Sequence, residues 1–165
     1  NTNRKPEWDR FTLTFADGGT LRLFDKRRLG RVRLDPDLDA LGEDAGEIAL
    51  PAFRSVVGRG TVAIKARLLD QSVLAGVGNL LADEVLWQAR IDPRRESGSL
   101  SPEELASLRR ELRKAIRAAI RKGGVHTLPV IEARRREADC PRCGARMQRA
   151  TVGSRTTYWC PREQT

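Results

Sequence analysis

A chain of 165 residues leaves room for one ordinary domain or two small ones, and 39% hydrophobic content is enough for a core. There is no run of about eighteen apolar residues, and the opening NTNRKPEWDR lacks the apolar segment of a secretory leader, which argues against a membrane protein and for the cytoplasm. The net charge of +9 is uneven, with 16 Lys/Arg against 15 Asp/Glu in residues 1–100 but 15 against 7 in 101–165, so the second part points to a polyanion, of which nucleic acid is the commonest, ahead of a merely well-solvated surface of an arginine-favouring organism.

In chain order, RFTLTF (10–15) and TLRLFD (20–25) alternate apolar and polar residues around ADGG, the pattern of a β-hairpin, and RVRL (31–34) offers a third strand. Three strands this short bury too little to stand alone. Residues 35–48 are acidic, carry Pro36, Gly42 and Gly46, and read as a linker. The pattern then becomes helical. LPAFRSVVG predicts a short helix ended by Gly58, TVAIKARLLDQ a second, and GNLLADEVLWQARI a third with Leu80, Leu81, Val85 and Leu86 at helical spacing. The fourth has the clearest start: Ser101 as N-cap, Pro102 at the first helical position, and Glu104 completing a capping box. Leu105, Leu108, Leu112, Ile116 and Ile120 predict one buried stripe along it, and Gly123-Gly124 ends it. Arginines and lysines cover much of the rest of this helix, as a solvated face or a DNA-facing one.

Two stretches carry chemistry. In AIKARLLDQSVLAGVGNLLADEVLW (63–87), Gly76 and Gly78 precede a helix that begins at Asn79. Glycines there let backbone N–H groups approach a phosphate, and the helix dipole favours its charge. Asn79 adds a neutral donor and Lys65, on the preceding helix, a charge. Read alone, GVGN is equally an ordinary turn between packed helices. The second stretch is DCPRCGARMQRATVGSRTTYWCPREQT (139–165). Cys140 and Cys143 form a CxxC pair, and sixteen residues separate Cys143 from Cys160, the spacing of a four-cysteine zinc ribbon. Glu163 stands where the fourth thiolate belongs. Carboxylates ligate zinc, so a Zn2+ site of Cys140, Cys143, Cys160 and Glu163 is chemically allowed, weaker than four thiolates, with Glu163 or water in the fourth place. Glu163 lies two residues from the end of the sequence, where fraying works against it.

The sequence IKARLLDQSVLAGVGNLLADE resembles the helix–two-turn–helix element of the formamidopyrimidine-DNA glycosylase / endonuclease VIII family. The cysteine-bearing tail is similar to that family's C-terminal zinc finger, with Arg155 five residues before the third cysteine, and TLTFADGGTLRLFDKRRLG to the end of its N-terminal β-sandwich, with RRLG (27–30) as its turn. The likeness covers residues 8–164. It implies that Lys65, Gly76, Gly78 and Asn79 hold phosphates near a lesion in double-stranded DNA, damaged or abasic. Arg155 on the finger hairpin would face the same phosphates, and Arg28 and Leu29 would stand where the family inserts a wedge, Leu29 replacing a Phe. A bacterial, nucleoid-associated monomer follows from the same likeness.

The resemblance also sets departures. The family attacks the sugar with an N-terminal proline amine assisted by the adjacent glutamate. Here Pro6-Glu7 is internal, so its nitrogen is an amide. Most of the catalytic sandwich is not in the sequence, and LPVIEARRREAD is short where a lesion-covering loop often lies. Three readings follow: a DNA-binding relative without glycosylase activity, a fragment of an active glycosylase/AP lyase, or an interaction module that kept the fold. The expected architecture is mostly α with small β parts. Residues 1–34 are a β-sandwich remnant, 35–48 a linker, 49–138 a four-helix helix–two-turn–helix DNA-binding domain, and 139–165 a zinc-ribbon-like hairpin.

Overall fold

A computed structural model describes residues 5–28 and 30–165; Leu29, the expected wedge residue, lies outside the described residues. The chain divides into two units, residues 1–38 and 39–165. In the first, β1 (Asp9–Thr14) pairs antiparallel with β2 (Thr20–Phe24), with Phe11 opposite Leu23 and Leu13 opposite Leu21. The predicted turn forms: Gly18 takes a left-handed φ of +83°, and the Phe15 N–H donates to the Gly19 carbonyl at 2.8 Å. Phe11, Leu13 and Leu21 share one exposed apolar face. The third strand expected at 31–34 is not formed. Left-handed residues bracket that segment, Arg28 at φ +58° and Asp35 at φ +47°, and each breaks the extended run that pairing needs.

The second unit begins inside the predicted linker. β3 (Glu43–Asp44) pairs parallel with β4 (Leu74–Ala75), and Ala45 and Ile48 are buried in the core. Four helices follow: α1 (Leu50–Val57), α2 (Ile64–Leu69), α3 (Asn79–Ala89) and α4 (Pro102–Lys122). Phe53, Val57, Ile64, Leu68, Val85 and Leu108 are among the side chains that close their shared core. α2 is shorter than predicted. Its entry is tied to another loop, since the N–H groups of Ile64 and Lys65 donate to the carbonyls of Arg95 and Pro93, so residues 61–63 are not helical.

α3 is central and buried on most sides, including the charged pair Asp83 and Glu84. Each carboxylate has internal partners; Glu84 accepts from the Val130 N–H at 2.9 Å and from the Gln88 side chain at 2.8 Å. On α4 the capping box is present in both directions, and Gly123 ends the helix at φ +81°. The buried stripe departs from expectation near the end. Ala115 and Ala119 face the core while Ile120 is 75% exposed, because each four-residue step overshoots a 3.6-residue turn and two of them carry Ile120 about 80° past the face that Leu112 buries. A second, smaller core joins Trp87, Val130, Ala133, Met147, Cys140 and Cys160 beneath the hairpin of β5 (Gln148–Val152) and β6 (Arg155–Trp159). Among the described residues no helix is long and apolar enough to cross a membrane.

Candidate nucleic-acid interface

The turn between α2 and α3 is built by side chains whose role no sequence motif announces. Asp70 stops α2 and folds the chain back, its side chain accepting from the Ser72 N–H at 3.0 Å and hydroxyl at 2.6 Å. Those bonds hold the Asp70 carboxyl below its usual pKa. Gln71 then ties the loop from within: its amide donates to the carbonyls of Leu69 (3.1 Å) and Val77 (3.0 Å), and its side-chain oxygen accepts from the Gly76 N–H (3.0 Å). Gly76 has φ +91°, a conformation that penalises any side chain. Gly78 is the N-cap of α3, makes no side-chain cap, and has open space where a Cβ would be. The first N–H groups of α3 are therefore left for a ligand or solvent.

Lys65 does not reach this surface, which corrects the phosphate role assigned to it. Its side chain is fully buried and forms an ion pair with Asp83 on α3 at 2.6 Å. It also donates to the Thr157 hydroxyl at 2.7 Å and the Thr156 carbonyl at 3.3 Å on β6. Burial pushes the ammonium below its usual pKa against the opposing pull of Asp83, and the Arg134 charge adds to the fall. Sealed in this way, it offers neither a phosphate contact nor an accessible amine.

Asp83 is also bridged by Arg134, whose Nε lies 2.7 Å from the carboxylate. Arg134 comes from the short segment after α4 and stacks over the Tyr158 ring. The Thr156 carbonyl accepts from three donors, Lys65 Nζ (3.3 Å), Asn79 Nδ2 (3.1 Å) and Arg134 (3.2 Å). A carbonyl has two lone pairs, and all three bonds are longer than the usual 2.9–3.0 Å. Together they pin the backbone next to Arg155 to α2, α3 and the 134 segment. One Asn79 N–H is thus spent internally, while its Oδ1 is buried without a hydrogen-bond partner among the described residues.

The hairpin tip turns through Gly153 (φ +57°) and Ser154 (φ +60°), two successive left-handed residues of a tight two-residue turn. A Cβ on Gly153 would come within 2.9 Å of the Ala66 Cβ, so only glycine lets the tip rest on α2. Arg155 follows, exposed and without an ion-pair partner among the described residues. It joins Gln71, Gly76, Gly78 and Asn79 around one open cleft of about 430 Å³ with no carboxylate in its lining. Four of the five predicted phosphate residues of this unit therefore converge, and Lys65 stands behind them. Arg28 belongs to the first unit, exposed in a turn closed by Asp25, which accepts from the Arg27 and Gly30 N–H groups.

The sulfur atoms of Cys140, Cys143 and Cys160 lie within 4.8 Å of one another, a spacing that suits one metal ion bound by three thiolates. Burial pushes the Cys160 thiol up to about 11. Burial also raises Cys140, but hydrogen bonds outweigh it, the Trp87 indole donation at 3.4 Å foremost, and its pKa falls below the ordinary value. Glu163 lies outside this cluster; its carboxylate faces Arg142 at 3.4 Å and Arg90 at 3.6 Å. Nor does the end of the described chain hang loose: Gln164 is buried and its side chain bonds the Cys160 N–H and the Ile91 carbonyl, both at 2.9 Å.

The two-turn connection from α2 to α3, its uncapped helix start and the cysteine-bearing hairpin behind it define the fold class. Residues 39–129 match the model of the formamidopyrimidine-DNA glycosylase H2TH domain, and the chain belongs to the formamidopyrimidine-DNA glycosylase / endonuclease VIII family. The formamidopyrimidine-DNA glycosylase of Roseiflexus sp. (strain RS-1) is 36% identical over 90% of this chain and 63% of its own length. The chain thus spans less than two thirds of that relative. Among solved structures, MutM (Fpg) from Thermus thermophilus is 32% identical, with a TM-score of 0.79 over 98% of this chain and 70% of its own. The Lactococcus lactis Fpg in complex with DNA containing an abasic site is 28% identical, with a TM-score of 0.79 over 98% and 68%.

Proposed function

We propose that this chain grips the phosphate backbone of double-stranded DNA around a damaged or abasic nucleotide, through the cleft between the α2–α3 turn and the finger hairpin. The observation that carries this reading is the convergence of the uncapped α3 N-terminus, Asn79 and the exposed Arg155 on one cleft without a carboxylate in its lining. Backbone amides and one guanidinium suit a phosphate and carry no base specificity. The abasic-site DNA held by the Lactococcus lactis relative supports the choice of ligand. Zn2+ on Cys140, Cys143 and Cys160 would hold the hairpin that presents Arg155; it supplies structure and no chemistry. The protein acts as a monomer in the bacterial cytoplasm, at the nucleoid.

The residues of the cleft bind and do not cleave. Pro6 lies inside the chain, so its nitrogen is an amide without a nucleophilic lone pair, and Lys65 is sealed. Incubation with abasic-site and 8-oxoguanine duplexes followed by borohydride reduction should trap no covalent complex. A trapped complex would sink the non-catalytic reading in favour of a glycosylase/AP lyase. Binding itself is tested by titrating an abasic-analogue duplex at rising salt. The affinity should fall steeply, and Arg155→Ala should weaken it and flatten the slope of log K against log salt by about one. An affinity indifferent to salt and to Arg155→Ala would leave the interaction-module reading standing.

A further inference from the structure

The finger has two knuckles of similar shape but different chemistry. In the first, the Gly144 N–H returns to the Cys140 carbonyl at 2.9 Å; in the second, the Gln164 N–H returns to the Cys160 carbonyl at 3.0 Å. Glu163 therefore occupies in its knuckle the place that Cys143 occupies in the other. A carboxylate so placed is the obvious fourth ligand, yet it is turned elsewhere. It is 14% exposed and sits between two guanidiniums, those of Arg142 (3.4 Å) and Arg90 (3.6 Å).

Arg142 is not a casual partner. Its guanidinium stacks on the Trp87 ring at 3.9 Å and donates to the Trp87 carbonyl (3.1 Å) and the Gln88 side chain (3.3 Å), all at the end of α3. Arg90 is the left-handed C-cap of the same helix, at φ +61°. Both arginines meet the same carboxylate oxygen, Oε2, and the carboxylate stands outside the three-sulfur cluster, so swinging it onto a dication would break that pairing and leave Arg142, partly buried, beside a metal charge. That exchange is unfavourable.

We infer that an Arg142–Glu163–Arg90 charge clamp to the end of α3 replaces the fourth metal bond of this finger. Glu163 is a structural anion, and the metal site is a three-sulfur site for a soft dication such as Zn2+ or Co2+, whose fourth position is filled from solvent and exchanges. The metal half rests on the zinc reading proposed above; the clamp half does not, since it acts in the metal-free chain.

The test uses the full chain under a non-thiol reductant, with protein in excess of cobalt. Cobalt binding to the wild type should give thiolate charge-transfer absorption, and imidazole should then titrate into the open position and shift the d–d bands. Glu163→Gln should show the same bands and the same response to imidazole, and should melt at a lower temperature than the wild type in the presence of a chelator. Glu163→Cys should increase the charge-transfer absorption and abolish the response to imidazole. A wild type that refuses imidazole while Glu163→Gln accepts it would make Glu163 a ligand and overturn the inference. So would equal melting of the metal-free wild type and Glu163→Gln. No cobalt uptake by the wild type would overturn the three-sulfur site and the zinc reading with it, an outcome recognised separately because the metal-free melting difference would survive.

Discussion

Lys65 and Arg155 divide the work of positive charge in this protein. Both belong to stretches that resemble the family's DNA-contacting elements, but only Arg155 meets solvent. Lys65 spends its charge on Asp83 and its remaining donors on β6, so it sets where the hairpin stands. Removing one partner of a buried ion pair leaves the other charge uncompensated, so Lys65→Ala should cost about 3–5 kcal/mol in urea unfolding. Arg134 still neutralises Asp83, which places the expected cost nearer the lower figure. A Lys65→Ala protein as stable as the wild type would contradict the strut role. Arg155 makes no such contact, so its replacement should leave stability within about 0.5 kcal/mol while weakening DNA binding.

At the scale of elements, α4 shows how local signals and packing share control. Its start is fixed by the Ser101–Glu104 box, reinforced by a two-pronged pair from Arg95 to Glu104 at 2.5 and 3.0 Å. Ser101→Ala should cost about 1 kcal/mol of stability. The Arg95 bond, with help from the Ser101 N–H, holds the Glu104 pKa below its usual 4.5. A depressed carboxylate contributes stability that is present above the unfolded pKa and lost as pH falls through the folded one. The melting temperature should therefore drop as pH goes below about 4.5, and less steeply in Glu104→Gln; parallel curves for the two proteins would refute this. Ile120, though it fits the apolar spacing, is 75% exposed, and Ile120→Lys should be nearly silent in the same melts. The hairpin β5–β6 depends on neighbours instead, resting its Gly153 tip on α2 and its base on the Trp87 core.

For the whole second unit, the proposed grip is a composite of segments far apart in sequence. The α2–α3 turn supplies amides and the finger supplies a guanidinium, and the two are joined at the Thr156 carbonyl by donors 91, 77 and 22 residues away. If metal secures the hairpin, chelation should lower DNA affinity to about the level of Arg155→Ala and add little to that variant, a test made by titrating both with and without chelator. Independent losses from chelation and from Arg155→Ala would show that the finger contributes more than that arginine.

What the amino-acid sequence determined by itself are the features whose cause lies within a few residues. The ADGG turn, the capping box, the Gly123 stop, the glycines before α3 and the cysteine spacing all formed as the residues dictate. Their physics is local: a left-handed φ, a side chain reaching three residues along, a thiol pair across one knuckle. Tertiary structure decided what each charge is for. A lysine's reach to phosphate or to Asp83, a glutamate's turn to metal or to Arg142, and an isoleucine's place in or out of the core depend on partners brought near by packing. Gln71 and Arg134 were illegible for the same reason, since nothing in an isolated Gln or an arginine run says which carbonyl or carboxylate will lie beside it. Burial makes these choices, because a charge removed from water must be paired by whatever the fold places next to it.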